Sequence, residues 1–159
     1  ENIMSQPQVL IHRDYHSRNI MVLENKELGI IDFQDAVIGP ITYDIVSLLR
    51  DCYLKWPDEK VTLLLNSYID LVAKQYSLTH IQWQRWFDLT GIQRHIKASG
   101  IFARLNYRDN KGGYLNDIPL TLSYIVEITE RYPELSFIHQ LLLNKVIPKM
   151  EVLKASTLQ

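Results

Sequence analysis

A single cysteine, Cys52, stands among 159 residues, so no internal disulfide can form and a reducing cytoplasm is the simplest setting. Neither sign of charge is in excess: 17 Lys and Arg against 18 Asp and Glu leave a formal net charge of −1. That excludes a basic field for nucleic acid and a polybasic face for a membrane. No run approaches the ~18 uninterrupted apolar residues of a membrane span, and no secretory signal opens the chain. Internal repeats and low-complexity segments are also missing. Glu1 stands where a start methionine would, and a strand-like run follows almost at once, as expected of a piece of a longer protein. What remains is ordinary for a soluble globular protein: 47% hydrophobic and 22% charged residues, at a length that predicts one domain with a real core.

Within that length the first third reads differently from the rest. Val9–His12, Ile20–Leu23 and Gly29–Phe33 are short apolar runs separated by a polar knot, Arg13 to Arg18, and a charged turn, Glu24 to Glu27. The pattern predicts three brief strands, and Gly39-Pro40 then predicts a turn. After it the period is helical. Ile45, Val46, Leu48, Leu49, Cys52 and Tyr53 make one apolar stripe, which Trp56-Pro57 ends. Asp58 is the expected cap of a second helix, Glu59 to Tyr76. A third runs from about Ile81 to Arg108, with Gly91 and Gly100 as candidate breaks. Two more are expected at Pro119 to Arg131 and at Glu134 to Val146, the last closed by Pro148. The fold class is therefore α+β and mostly helical. Residues 1–42 form a small β-rich segment and residues 43–159 five helices of the same domain.

The chemistry is concentrated in His12-Arg13-Asp14-Tyr15-His16-Ser17-Arg18-Asn19, followed by Asp32. Phosphoryl transfer needs charge neutralised on the phosphates and an acceptor hydroxyl held in place, with little covalent help. Magnesium takes hard oxygen ligands, usually one or two from protein and the rest from substrate phosphates and water. Asn19 and Asp32, at the ends of adjacent predicted strands, suit that role. Asp14, in the loop between, suits the base that takes the acceptor's proton, with Arg13 positioning the loop or balancing its acids. Kinase catalytic loops carry this order, an H-R-D, then an Asn, then an Asp on the next strand. The plainer alternative is a turn-stabilising network of Asp14 and Asn19, with Asp32 a buried partner for an arginine.

At these residues the sequence resembles the aminoglycoside phosphotransferase/choline kinase superfamily, which shares its catalytic lobe with the protein kinases. The match is H-R-D-Y-H-S-R-N-I-M-V, then I-I-D-F-Q-D-A-V-I-G-P-I-T-Y-D-I-V-S-L-L. Phe33-Gln34 after Asp32, in place of Phe-Gly, departs from protein kinases. Gly100–Asp109 and Gly113–Pro119 further resemble bacterial cell-wall sugar kinases, which act on the anomeric hydroxyl of N-acetylmuramate or N-acetylglucosamine. The resemblance implies the large lobe of a protein-kinase-like fold, with Asp14 as catalytic base and Asn19 and Asp32 holding Mg²⁺. It also implies Asp44 as a carboxylate bracing the catalytic loop, Mg·ATP as co-substrate, and a small N-terminal lobe as the missing partner. A glycine-rich phosphate-covering loop, its lysine–glutamate pair and an adenine hinge are not found in this sequence, so the isolated chain is expected to be inactive.

Other residues stay open between two readings. His12 and His16 are candidates for bracing the loop; the alternative for His16 is a plain loop histidine. Asp35 is a candidate for hydrogen-bonding the sugar. Arg104 and Arg108, four apart on one helical face, suit an acceptor carboxylate, or else a solvated face paired with Asp109 or Asp117. Trp83 and Trp86 fit core packing better than sugar stacking, and Cys52 fits a small core residue. Three functions compete: a sugar 1-kinase of cell-wall recycling, a kinase for an aminoglycoside or choline, and a non-catalytic domain that kept the fold.

Overall fold

In the computed structural model, residues 2–73, 75, 76 and 78–151 are described. Two ribbons open the chain. Strand β1 (Gln8–Ile11) pairs antiparallel with β4 (Val37–Pro40), Gln8 opposite Pro40 and Ile11 opposite Val37. Strands β2 (Ile20–Val22) and β3 (Leu28–Ile30) form a second antiparallel pair, closed by a turn in which Lys26 adopts a left-handed φ of 64°. The second ribbon is thus an insertion between the two strands of the first. Its two connections, residues 12–19 and 31–36, run side by side.

Strand β4 lies where Gly39-Pro40 predicts only a turn. Proline lacks an N–H and is tolerated at the end of an edge strand, and Gly39 is required by packing. A β-carbon there would lie 2.4 Å from Ile11 Cδ1, and Ile11 is buried.

Five helices follow: α1 (Tyr43–Leu49), α2 (Asp58–Val72), α3 (His80–Asp109), α4 (Ile118–Arg131) and α5 (Ser136–Leu141). Helix α1 stops at Leu49, short of the end of its apolar stripe. Asp58 is the first residue of α2 rather than its cap; no side chain caps that end, and Asp58 and Glu59 meet the positive pole of the helix dipole instead. The Thr79 side chain accepts from Gln82 N and opens α3. That helix passes Gly91 and Gly100 without a break and closes on Asn110 in the left-handed conformation (φ 53°). Beyond α5 a wide turn over Leu142–Val146 leads into further helix, so Pro148 does not end it. Wide i→i+5 turns release the backbone groups that a proline would otherwise obstruct.

Helix α3 joins two cores. Ile41, Val46, Leu49, Val61, Leu65, Ile69, Trp83, Trp86 and Phe87 pack its first half against α1 and α2. Cys52, Ile92, Phe102, Ile118, Leu122, Ile125, Ile128 and Leu142 pack its second half against α4 and the last helical segment. Trp83 and Trp86 are 1% and 3% exposed, so neither offers a ring to a sugar. A closed polar triangle of Gln6, Thr42 and Thr90, all buried, ties the start of β1 to α1 and α3. The ribbons therefore sit on a rigid helical base at α1, the helix that also reaches the polar loop.

Candidate functional site

Two carboxylates clamp the polar loop, one at each end of α1. Asp44, in the first turn, accepts from the backbone N–H of His12 at 2.7 Å and of Arg13 at 3.1 Å. Asp51, just past the helix end, accepts from Ser17 N at 2.8 Å and Tyr53 N at 2.9 Å, and is wholly buried. Between these clamps the loop must reverse within a few residues. Arg13 does so at φ 77°, in a conformation costing a non-glycine residue about 1–2 kcal/mol. Asp32, in the neighbouring connection, sits at φ 67°. Strain of this kind persists only where the surroundings over-determine it, as Asp44 on His12 and Arg13 and Asp51 on Ser17 do for this loop.

The two connections are stitched together across their length. Ile31 N donates to Asn19 O at 3.1 Å, and His12 Nε2 donates to Ile31 O at 2.9 Å, which sets the His12 tautomer. Arg13 Nη1 donates to the backbone carbonyl of Asp35 at 3.3 Å. Asn19 lies at the centre. Its Nδ2 donates to the backbone carbonyl of Asp14 at 3.0 Å and to Asp32 Oδ2 at 3.3 Å. Because a carbonyl can only accept, this anchoring keeps Asn19 Oδ1 off the Asp14 carbonyl, and among the described hydrogen bonds Oδ1 accepts none. Gln34 Nε2 donates to the second oxygen of Asp32 at 2.7 Å.

This donor set fits a small hard cation. Among the described residues no group of three or more His, Cys, Asp or Glu surrounds a common metal position. A carboxylate and an amide oxygen on adjoining connections are instead what magnesium uses when phosphates complete its shell. Asp32 is exposed, so its carboxylate is open to a ligand.

The remaining candidates divide. His16 packs edge-on against Tyr53, ring centroids 5.2 Å apart, and burial pushes its pKa down against the opposing pull of Asp51 and Asp14. The imidazole is therefore neutral at neutral pH and serves as packing beside the loop. Asp35 is exposed next to Arg13. Arg104 and Arg108 lie on the last turns of α3, and among the described contacts neither touches the loops of Asp14, Asn19 or Asp32. Both arms of Arg108 grip Asp109, at 2.7 and 2.9 Å.

Sequence reasoning missed Asp51. Asp51 had a signal: an acid next to Cys52, on the edge of an apolar stripe, needs partners, since buried charges are paired or hydrogen-bonded. It also missed an apolar cavity of about 370 Å³ beside the loop, lined in part by Leu10, Tyr15, Ile30 and Phe33. Among the described residues no helix is long and apolar enough to cross a membrane.

Residues 1–77 match the family described as "Phosphotransferase enzyme family". Among curated proteins, the chain is 43% identical over 148 residues to the N-acetylmuramate/N-acetylglucosamine kinase of Neisseria meningitidis serogroup B, a match covering 91% of this chain and 44% of that protein. It is 41% identical over 145 residues to the protein of the same name from Pseudomonas putida (89% and 42%). With the one from Pseudomonas aeruginosa it shares 40% over 142 residues (87% and 42%). The chain thus spans less than half the length of these relatives.

Proposed function

The chain belongs to the phosphotransferase enzyme family, and from that premise we propose that it carries the base and metal-binding half of an ATP-dependent sugar kinase. The acceptor is a hydroxyl of an N-acetylated amino sugar, as the relatives' names suggest, and its anomeric hydroxyl is the one the family resemblance implies. The observation that carries the reading is Asn19, whose amide binds the Asp14 carbonyl and meets Asp32 at once. One side chain thereby links a candidate base to a candidate metal ligand.

In this reading Asn19 Oδ1 and Asp32 hold Mg²⁺, which when bound neutralises charge on the ATP phosphates. Asp14 accepts the proton of the sugar hydroxyl as its oxygen attacks the γ-phosphorus. Asp44 and Asp51 keep the Asp14 loop in place without entering the reaction. The adenine and the outer phosphate face need further groups, and a small N-terminal lobe is their proposed source. Two observations support such a cover: the relatives are more than twice as long, and apolar Leu10, Phe33 and Ile38 are 72%, 66% and 69% exposed on the ribbons and the connection between them. A cytoplasmic setting, where ATP is plentiful, completes the proposal.

The test uses the intact protein with Mg·ATP and a panel of N-acetylmuramate, N-acetylglucosamine, an aminoglycoside and choline, read by phosphorus NMR. A sugar 1-phosphate is the expected product. Asp14→Asn is expected to lower kcat by about 10²- to 10⁴-fold, the usual contribution of a general base, with ATP affinity kept. Absence of any sugar phosphate from the unaltered protein defeats the proposal, as does full activity of the Asp14→Asn variant.

A further inference from the structure

Gln34 stands where protein kinases carry glycine, a residue with no side chain to offer. Its backbone is held at the tip of the second connection. Ala36 N donates to Phe33 O at 3.1 Å, which makes Gln34 and Asp35 the middle pair of a tight turn. Arg13 Nη1 holds the Asp35 carbonyl of that turn at 3.3 Å. From there the Gln34 side chain reaches back two residues, and its Nε2 donates to Asp32 Oδ1 at 2.7 Å. The amide nitrogen is the atom that must face Asp32, since an ionised carboxylate only accepts. Among the described hydrogen bonds the Gln34 side chain makes no other.

Asn19 Nδ2 donates to the second oxygen, Asp32 Oδ2, at 3.3 Å. Asp32 therefore carries one amide donor on each oxygen, Asn19 from the first connection and Gln34 from its own. The terminal torsion of an aspartate is broad and roughly two-fold, so an exposed carboxylate is otherwise free to turn. Donors on both oxygens fix its plane. Of about four acceptor directions on a carboxylate, two are taken and two stay open to a ligand. Stability gives little reason for the Gln34 contact. Gln34 and Asp32 are both exposed, and there water replaces a lost hydrogen bond at small net cost. Asp32 also sits at φ 67°, a strained position of the kind found at functional sites.

We infer that Gln34 is a positioning residue for the cation: it holds the Asp32 carboxylate in the plane in which Asp32 binds metal. The inference rests on the reading of Asn19 and Asp32 as metal ligands and deepens it. Gln34 acts through Asp32 and takes no part in the transfer itself. Partners that orient a metal ligand from behind typically contribute 10- to 100-fold in metal affinity.

Gln34→Met and Gln34→Ala, made in the intact protein, provide the test, because both remove the donor and neither adds a charge. The first quantity read is the dissociation constant for Mn²⁺ in the presence of a non-hydrolysable ATP analogue. It is followed by the loss of the free Mn²⁺ signal in electron paramagnetic resonance, beyond the loss caused by the analogue alone. A rise of about 10-fold or more is expected in both variants. In turnover, the Mg²⁺ concentration for half-maximal rate should rise likewise, with kcat at saturating Mg²⁺ kept within about threefold. The metal-free melting temperature should stay within about 3 °C, which a merely structural role would not allow. A dissociation constant within threefold of the unaltered protein overturns the inference. So does a lowered kcat at unchanged metal affinity, or a larger fall in melting temperature in both variants. If the unaltered protein binds no Mn²⁺ beyond the analogue's own share, the metal-ligand reading of Asn19 and Asp32 has itself failed; if it binds and the variants match it, only the role of Gln34 has.

Discussion

Removing either clamp of the polar loop should cost stability, and the two clamps should differ in a way burial predicts. Asp44 and Asp51 each accept two backbone N–H bonds, at 2.7 and 3.1 Å and at 2.8 and 2.9 Å. Counted as hydrogen bonds they are equal. Asp51, however, is 0% exposed whereas Asp44 is only half-buried. In Asp51→Ala the N–H groups of Ser17 and Tyr53, on half-buried residues, lose an acceptor that is itself wholly buried. An unsatisfied buried donor costs about 1–3 kcal/mol, so the pair costs about 2–6 kcal/mol. In Asp44→Ala, water can replace the carboxylate, and the loss should stay near ~1–2 kcal/mol, the net value of hydrogen bonds exchanged with solvent. Against a domain stability of about 5–15 kcal/mol the first is severe and the second tolerable. Urea unfolding of the intact protein, compared at equal m-values, reads the difference as a shift in midpoint. Asp44→Ala destabilising as much as Asp51→Ala would refute the reasoning, because burial would then not be what separates the clamps.

Two further predictions concern the ribbons and the core. Gly39→Ala should destabilise by about 1–3 kcal/mol through overpacking, because its new β-carbon falls 2.4 Å from Ile11 Cδ1. Ile11→Val removes that methyl, so the double variant should be more stable than the sum of the two single losses; strict additivity in urea midpoints would count against the contact. His95 is buried, donates from Nε2 to Arg50 O, stacks on Tyr124, and is pushed down by burial from the usual 6.5 to about 3. Its folded value lies below its unfolded one, so the unfolded chain gains a proton first. The stability His95 contributes is complete above about pH 6.5 and is lost as pH falls, by up to about 1.4 kcal/mol per pH unit. Asp88, raised chiefly by burial, works the other way, favouring the folded state as pH falls. His95→Phe keeps the ring stack and removes the titration. The loss of stability between about pH 7 and pH 5 should therefore be smaller in the variant, and an unchanged loss would assign the acid sensitivity elsewhere.

The helical part was legible because each helix has an apolar stripe. The long α3 was legible too, apart from its continuity: Gly100 has open space around it and Gly91 packs on Ile128, so neither glycine has cause to break it. Strand β4 was not legible, since a Gly-Pro pair reads locally as a turn. Only the Ile11 side chain, twenty-eight positions earlier in the chain, explains why glycine stands there. The end of the last helix was misread for the opposite reason. Pro148 is a stop signal in isolation, and the wide turn before it answers to packing around Leu142, which no local pattern contains.

At the site, residue type and order pointed to Asp14, Asn19 and Asp32 because that chemistry needs a base and hard oxygen ligands in sequence. What the chain order does not display is the support, which comes from residues thirty and more positions away. Asp44 reaches back to His12 and Arg13, and Asp51 to Ser17. The span of α1 is what makes this possible. Asp44 lies in its first turn and Asp51 just beyond its end, so the length of this one short helix separates the two clamps. Two carboxylates at its ends therefore fix both ends of a loop that has no regular structure before Ser17, and the left-handed turn at Arg13 is held from below. A loop so clamped can keep Asp14 and Asn19 at a constant separation while the exposed Asp32 side remains open to a cation. On the proposed reading, the part of the loop that would receive a proton is the part tied down from the two ends of α1, while the exposed Asp32 side is where phosphates would enter.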